Sequence, residues 1–203
     1  MIMKNEMFEF YKNALLGSAT GTPICSEYKH EWQACGDDKK KLLTFAMRQQ
    51  CVPFLFTYSY KGMGLSKGYL KREYKDLING FYTVLDADKV KGFTYGLFVD
   101  YNRPITQNRD VFAFMWCGNG NIEVEKTKCP HLYVGCDTTL HVKLNGFNSV
   151  RISLFDSSRV VIDDADDESD VVVYRYSDTA KVDKGRDCMA DVRVFDKELR
   201  LQL

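Results

Sequence analysis

From residue 122 onward the apolar positions keep a ten-residue beat. Ile122, Leu132, Val142, Ile152, Ile162, Val172, Val182 and Val192 are all aliphatic. The frame two residues earlier adds Leu140, Val150, Val160, Ala180 and Ala190. The frame two later adds Val124, Val134, Leu144, Leu154, Tyr174 and Val194. Each block therefore alternates, as a half-buried strand does. Turn formers separate the blocks: Asp137-Thr138-Thr139, Asn145-Gly146, Asn148-Ser149, Asp156-Ser157-Ser158, Ser177-Asp178-Thr179 and Lys184-Gly185. A fixed period is the mark of a repeat architecture. A short β-solenoid with two strands per coil, roughly four coils of ~20 residues, is favoured over an antiparallel meander. Eight blocks without drift suit stacked coils, and few of the turns are the Asn-Gly or Asp-Gly pairs of tight hairpins. A solenoid needs both ends covered; the N-terminal residues could serve one end, and Leu199, Leu201 and Leu203 could finish the other or meet a partner.

The first 80 residues carry a helical spacing instead. Met3, Met7, Phe8, Tyr11, Ala14 and Leu15 share a face, with Gly17 as a stop. Thr22-Pro23 opens a second helix, with Ile24, Tyr28, Trp32 and Cys35 on one stripe and Gly36 behind it. Asp37 or Asp38 caps a third, through Leu42, Leu43, Phe45, Ala46 and Met47 to Gln50, closed by Pro53. FLFTYSY (54–60) is a strand or a buried helix. Ser66 caps a last helix, GYLKREYKDLI, with Gly80 as its stop. Between these regions, Phe81–Leu85 and Phe93–Tyr101 read as the two strands of a hairpin. Residues 101–110 read as a loop, VFAFMWC (111–117) as a buried strand and GNGN (118–121) as a turn. The expected fold class is α+β: a helical module over 1–80, a β-hairpin connecting region over 81–120 and a β-repeat over 121–203.

Composition alters this picture in two ways. The net charge is zero, from 28 basic and 28 acidic residues, but it is divided along the chain. Residues 1–80 carry 12 basic against 8 acidic, residues 81–120 carry 4 of each, and residues 121–203 carry 12 against 16. A neutral total lacks the basic stripe of a nucleic-acid binder. The mixed charges of 67–78 speak against a helix-loop-helix DNA reader. No apolar run is long enough to span a membrane, and the charged start MIMKNEMFEFYKN lacks the apolar stretch of an export signal. Seven cysteines, an odd number, suggest reduced thiols rather than a disulfide framework.

The candidate chemistry is sparse. The acidic run Asp163, Asp164, Asp166, Asp167, Glu168, Asp170 interrupts the repeat; it lacks the glycine and spacing of an EF-hand and reads as a solvated turn. Cys25, His30 and Cys35, and Cys129, His131 and Cys136, do not match zinc spacing and read as small buried hydrophobes. His141, between Leu140 and Val142, faces out of its strand. No nucleophile-elbow, phosphate-loop or zinc-protease string occurs, so no catalytic residue, cofactor or metal is assigned. Aromatic residues crowd 54–116, and Tyr58, Tyr60, Tyr69, Tyr95, Tyr101 and Trp116 are the candidate interaction residues.

The strings SEYKHEWQAC (26–35), RQQCVPF (48–54), KTKCPHLYVG (126–135) and FNSVRISLFDSSRVVIDD (147–164) resemble a group of uncharacterised proteins in phages and prophages of gut Bacteroidales, over most of the chain. The resemblance implies a phage structural or virion-associated interaction protein, located in the virion or the host cytoplasm. It implies a protein partner, either other virion proteins or a second copy; the charge balance and hydropathy point to no nucleic acid and no membrane. Small β-solenoids are frequent in phage tail, fibre and decoration proteins, a likeness of fold alone. The alternatives are an intracellular binding module of a phage or mobile element that acts on a host protein, and an enzyme pairing Cys129 or Cys136 with His131.

Overall fold

A computed structural model describes residues 6–15, 28–46, 51, 67–84, 95–101, 104–107, 111–115, 117–125, 129–146, 148–164 and 169–198. The chain divides into two compact units, 1–91 with 200–203 and 92–199.

The first unit is helical: α1 (Glu6–Leu15), α2 (Tyr28–Cys35), α3 (Lys39–Ala46) and α4 (Lys67–Val84). Residues three and four apart form its core: Met7, Phe10 and Tyr11 from α1, Trp32 and Cys35 from α2, Leu42, Leu43, Phe45 and Ala46 from α3, and Tyr69, Leu70, Tyr74 and Ile78 from α4. Phe8 stacks on Trp32 at 4.4 Å, and Tyr11 meets Phe45 edge-on at 5.0 Å. Two long-range donations lock the helices: the Trp32 indole N–H to the Phe8 carbonyl, 3.0 Å, and the Tyr11 hydroxyl to the Cys51 carbonyl, 3.1 Å. Asp38 is the cap of α3, accepting from the N–H groups of Lys40 and Lys41 at 2.9 and 3.2 Å. Gly36, at φ +52°, supplies the left-handed residue that ends α2.

The helix expected to stop at Gly80 continues to Val84. Phe81–Val84 is therefore helix, not the first strand of a hairpin, although its residue types favour strands. Propensity is a weak prior, and one glycine inside an 18-residue helix costs only about 1 kcal/mol.

The second unit is a parallel β-solenoid, not a meander. Its described strands are β1 (Tyr95–Val99), β2 (Pro104–Gln107), β3 (Val111–Met115), β4 (Gly120–Val124), β5 (His131–Gly135), β6 (Thr139–Leu144), β7 (Ser149–Leu154), β8 (Arg159–Asp164), β9 (Asp170–Arg175), β10 (Lys181–Lys184) and β11 (Asp191–Asp196). Odd strands form one six-stranded sheet, β1-β3-β5-β7-β9-β11, and even strands a five-stranded sheet, β10-β8-β6-β4-β2. Every pairing is parallel, between strands one coil apart. The repeat thus begins at Tyr95, well before residue 121. The segment expected to be a loop contains β2, with Pro104 at its first position, where a strand tolerates proline.

Pairing register measures the coil. Val111 pairs with His131, His131 with Arg151, Gly120 with Leu140 and Thr139 with Arg159, each a step of 20 residues. The first coil is shorter: Tyr95 pairs with Val111, a step of 16, and Pro104 with Asn121, a step of 17. The later ones are longer: Ser149 to Asp170 is 21, Arg159 to Lys181 is 22 and Asp170 to Asp191 is 21. The ten-residue frame therefore does drift. One residue enters at the corner between β8 and β9, where the acidic run lies. Val171 and Val173, not Val172, join the core, paired with Val150 and Ile152. The same slip turns Tyr174 outward.

One apolar interior runs the length of the coils. Phe98, Phe112, Phe114, Leu132, Val134, Val150, Ile152, Val171 and Val173 from the odd sheet face Ile122, Val124, Leu140, Val142, Leu144, Val160 and Ile162 from the even sheet; all are buried. Both sides of a parallel sheet need cover or solvating side chains. The corners repeat too. Thr138, Ser158 and Ala180 donate backbone N–H bonds to Gly135, Phe155 and Ser177, closing four-residue turns at 3.3, 3.2 and 3.1 Å.

Candidate functional site

Parallel pairing in register turns each outward position into a row that crosses the coils. On the odd sheet one row reads His131, Arg151, Val172, Arg193 and the next reads Tyr133, Ser153, Tyr174, Phe195. Leu97, Val99, Ala113 and Met115, outward on β1 and β3, are buried, so the accessible part of this face begins at β5. There His131 stacks on Tyr133, centroids 4.2 Å apart, and its Nε2 lies 2.9 Å from the Ser153 Oγ. Burial, with the Arg151 charge adding to it, pushes the imidazole pKa down to about 4. Burial and the neighbouring Tyr176 push the Tyr133 phenol up to about 12. Tyr176 stacks on Phe155 at 4.8 Å across the corner. Nearer the C-terminal end, Tyr174 tilts against Phe195 at 6.1 Å, with the Lys197 ammonium 5.6 Å from the Tyr174 ring. This half of the face is an aromatic and cationic strip.

The even sheet presents a polar counterpart. Asn121, His141, Val161 and Asp183 form one outward row, and Glu123, Lys143 and Asp163 the next. His141 lies between two buried residues and points outward, as its sequence position indicated. A shallow depression of about 320 Å³ is lined by Pro104, Asn121, Glu123, His141, Lys143 and Asp163. Glu123 is held there by Asn145 (2.7 Å) and Lys143 (3.1 Å), whose hydrogen bonds lower its pKa.

Of the candidate residues from the sequence, Tyr69 belongs to the helical unit and Tyr95 and Tyr101 to the solenoid unit. Tyr58, Tyr60 and Trp116 lie outside the described residues. Tyr95 opens β1. Tyr101 is half-buried just past β1, tilted on Phe98 at 5.3 Å. Tyr69 is a core residue of the helical unit, 5% exposed and packed against Tyr74 at 5.8 Å, so it offers no surface to a partner. The aromatic residues that do share a face, Tyr133, Tyr174 and Phe195, lie outside the aromatic-rich stretch. Their signal was the outward parity between aliphatic positions. The cysteine readings also change. Cys136 is buried at a corner with φ +52°, while Cys129 is exposed rather than a core hydrophobe. The hydrogen-bond partner of His131 is Ser153, not either cysteine. The acidic run is split: Asp163 faces outward, Asp164 is buried and Asp170 binds Arg193 at 2.5 Å, while 165–168 lie outside the described residues. Among the described residues no cluster of three metal-binding side chains occurs, and no helix is long and apolar enough to cross a membrane.

No protein-family model, no curated protein and no solved structure matches the chain.

Proposed function

We propose that this chain is a non-catalytic structural interaction protein, of the virion-associated kind implied by its resemblance to phage and prophage proteins. The observation that carries the reading is the outer face of the odd sheet. There a rigid parallel ladder holds Tyr133, Tyr174 and Phe195 in one row, with Ser153 buried between them, beside His131, Arg151, Val172 and Arg193. Side chains fixed by a hydrogen-bonded ladder lose little further freedom on binding, which favours a pre-formed docking surface. Tyrosine, phenylalanine and arginine are also the residue types enriched where protein interfaces form.

The experiment is to purify particles from a host carrying the gene and probe them for the protein. Recovery with the particles at a fixed ratio to the other virion proteins supports the reading. Protein found free in the host lysate and absent from particles overturns it. In that case a pull-down that recovers a host protein through the Tyr133–Phe195 face would favour the intracellular binding module.

A further inference from the structure

The last coil is unlike the others. Met189, Val194 and Phe195 are the exposed large hydrophobic side chains of the described residues, at 60%, 44% and 45%, and all three belong to it. Val192 and Val194 are in register with the core residues Val171 and Val173, on the inner side of a coil that has no described coil beyond it. Among the described residues β11 pairs with β9 alone and β10 with β8 alone, so each sheet shows an unpaired edge here. An open, partly apolar edge is a template for pairing with another chain.

The edge residues indicate which chain. Take β11 antiparallel to itself with Val194 on the axis. The register keeps inner side against inner side, because opposed positions share parity. Asp191 then stands opposite Lys197, and Lys197 opposite Asp191; Arg193 and Phe195 exchange in the same way, placing a guanidinium beside an aromatic ring. Asp196 meets Val192 in this register and remains held by Arg175 at 2.6 Å. Reciprocity of this kind, residue i on j and j on i, is the requirement of an isologous interface.

We propose that the last coil docks a second copy of this chain, β11 pairing antiparallel with its symmetry mate around Val194. The inference is independent of the particle reading, and either can fail without the other.

The test is the mass of the full chain in solution, by sedimentation or light scattering. The expected mass is twice the 23.4 kDa of one chain. Val194→Lys sets two ammonium groups against each other on the axis and returns the mass to that of one chain, with an unchanged circular dichroism spectrum. Asp191→Lys weakens the dimer by about tenfold or more, through a like-charge contact made twice. Adding Lys197→Asp to Asp191→Lys restores it, which a purely structural role for Asp191 would not produce. A wild-type chain that stays monomeric up to about 100 μM overturns the proposal. So does a Val194→Lys dimer as tight as wild type, or a mass that grows without limit, the sign of head-to-tail stacking.

Discussion

His131 and Ser153 lie on adjacent strands of the odd sheet, with Nε2 and Oγ 2.9 Å apart on its outer face. The ring is packed on Tyr133 and faces Arg151, so charging it is unfavourable, and its pKa falls to about 4. An unfolded histidine titrates near 6.5. Between these two values the unfolded chain binds more protons than the folded one, so stability rises with pH across the window. Acidification from about 6.5 to about 4 should remove up to roughly 3 kcal/mol, an upper bound because solvent screens part of the effect. Urea unfolding of wild type and His131→Gln at a series of pH values checks this. The difference between the two curves should slope across pH 4 to 6.5 and be flat above it. A flat difference throughout would show that the imidazole is not excluded from protonation in the fold.

Gly96 occupies an inward position of β1 against two phenylalanines. A Cβ there would lie 2.7 Å from Phe112 Cδ1 and 2.9 Å from Phe98 Cε2, both on buried rings. Phe98 stacks on Phe114 at 5.2 Å, which leaves the rings little freedom to give way. Gly96→Ala should destabilise the solenoid unit by about 1–3 kcal/mol through overpacking. Phe112→Leu in the same chain should recover part of that loss. Thermal melts of the single and double variants measure the coupling; additive losses would mean that the two sites do not share space.

The solenoid was legible where its period was regular and obscure where it was not. Through Ile162, inward positions recur every ten residues, and Leu132, Val142 and Ile152 lie inside as their frame indicates. The frame fails at β9 because Val171, Val172 and Val173 are all aliphatic. A one-residue insertion then leaves no trace in the hydrophobic pattern. The first coil went unseen because its steps of 16 and 17 residues miss the beat. Strand-favouring residues at Phe81–Val84, with Asp and Gly following, also imitated a hairpin. The His131–Ser153 contact joins residues 22 apart in sequence and can be read only once the 20-residue coil is known. Gly36 and Asp38, by contrast, act locally: the stop was readable from neighbouring residues alone, and the cap was narrowed to Asp37 or Asp38.

The last coils are crossed by three arginine–carboxylate pairs: Arg159–Asp183 at 2.6 Å, Arg175–Asp196 at 2.6 Å and Arg193–Asp170 at 2.5 Å. These groups are largely solvated, so each alanine substitution should cost little stability and matter less in high salt. Ile152, fully buried between β5 and β9, is the contrast. Ile152→Ala should cost about 2–5 kcal/mol, from lost burial and the cavity left behind. Chemical denaturation of Arg159→Ala and Ile152→Ala ranks the two. An arginine loss as large as the isoleucine loss would mean that the coils are held by charge rather than by their interior.

Thiol chemistry separates the two cysteines on either side of β4. Cys117 is buried, and desolvation pushes its thiol up to about 11, so almost none is thiolate at neutral pH. Cys129 is exposed at the entry to β5. Iodoacetamide at neutral pH, followed by peptide mass mapping, should therefore modify Cys129 in the folded chain and leave Cys117 untouched until urea is added. Because the His131 Nε2 is engaged with Ser153, alkylation of Cys129 should be unchanged by His131→Gln. Alkylation slowed by His131→Gln would instead revive a cysteine–histidine pair and with it the enzymatic reading. Early labelling of Cys117 would mean that the coil between β3 and β5 opens readily, contrary to the continuous ladder that holds it.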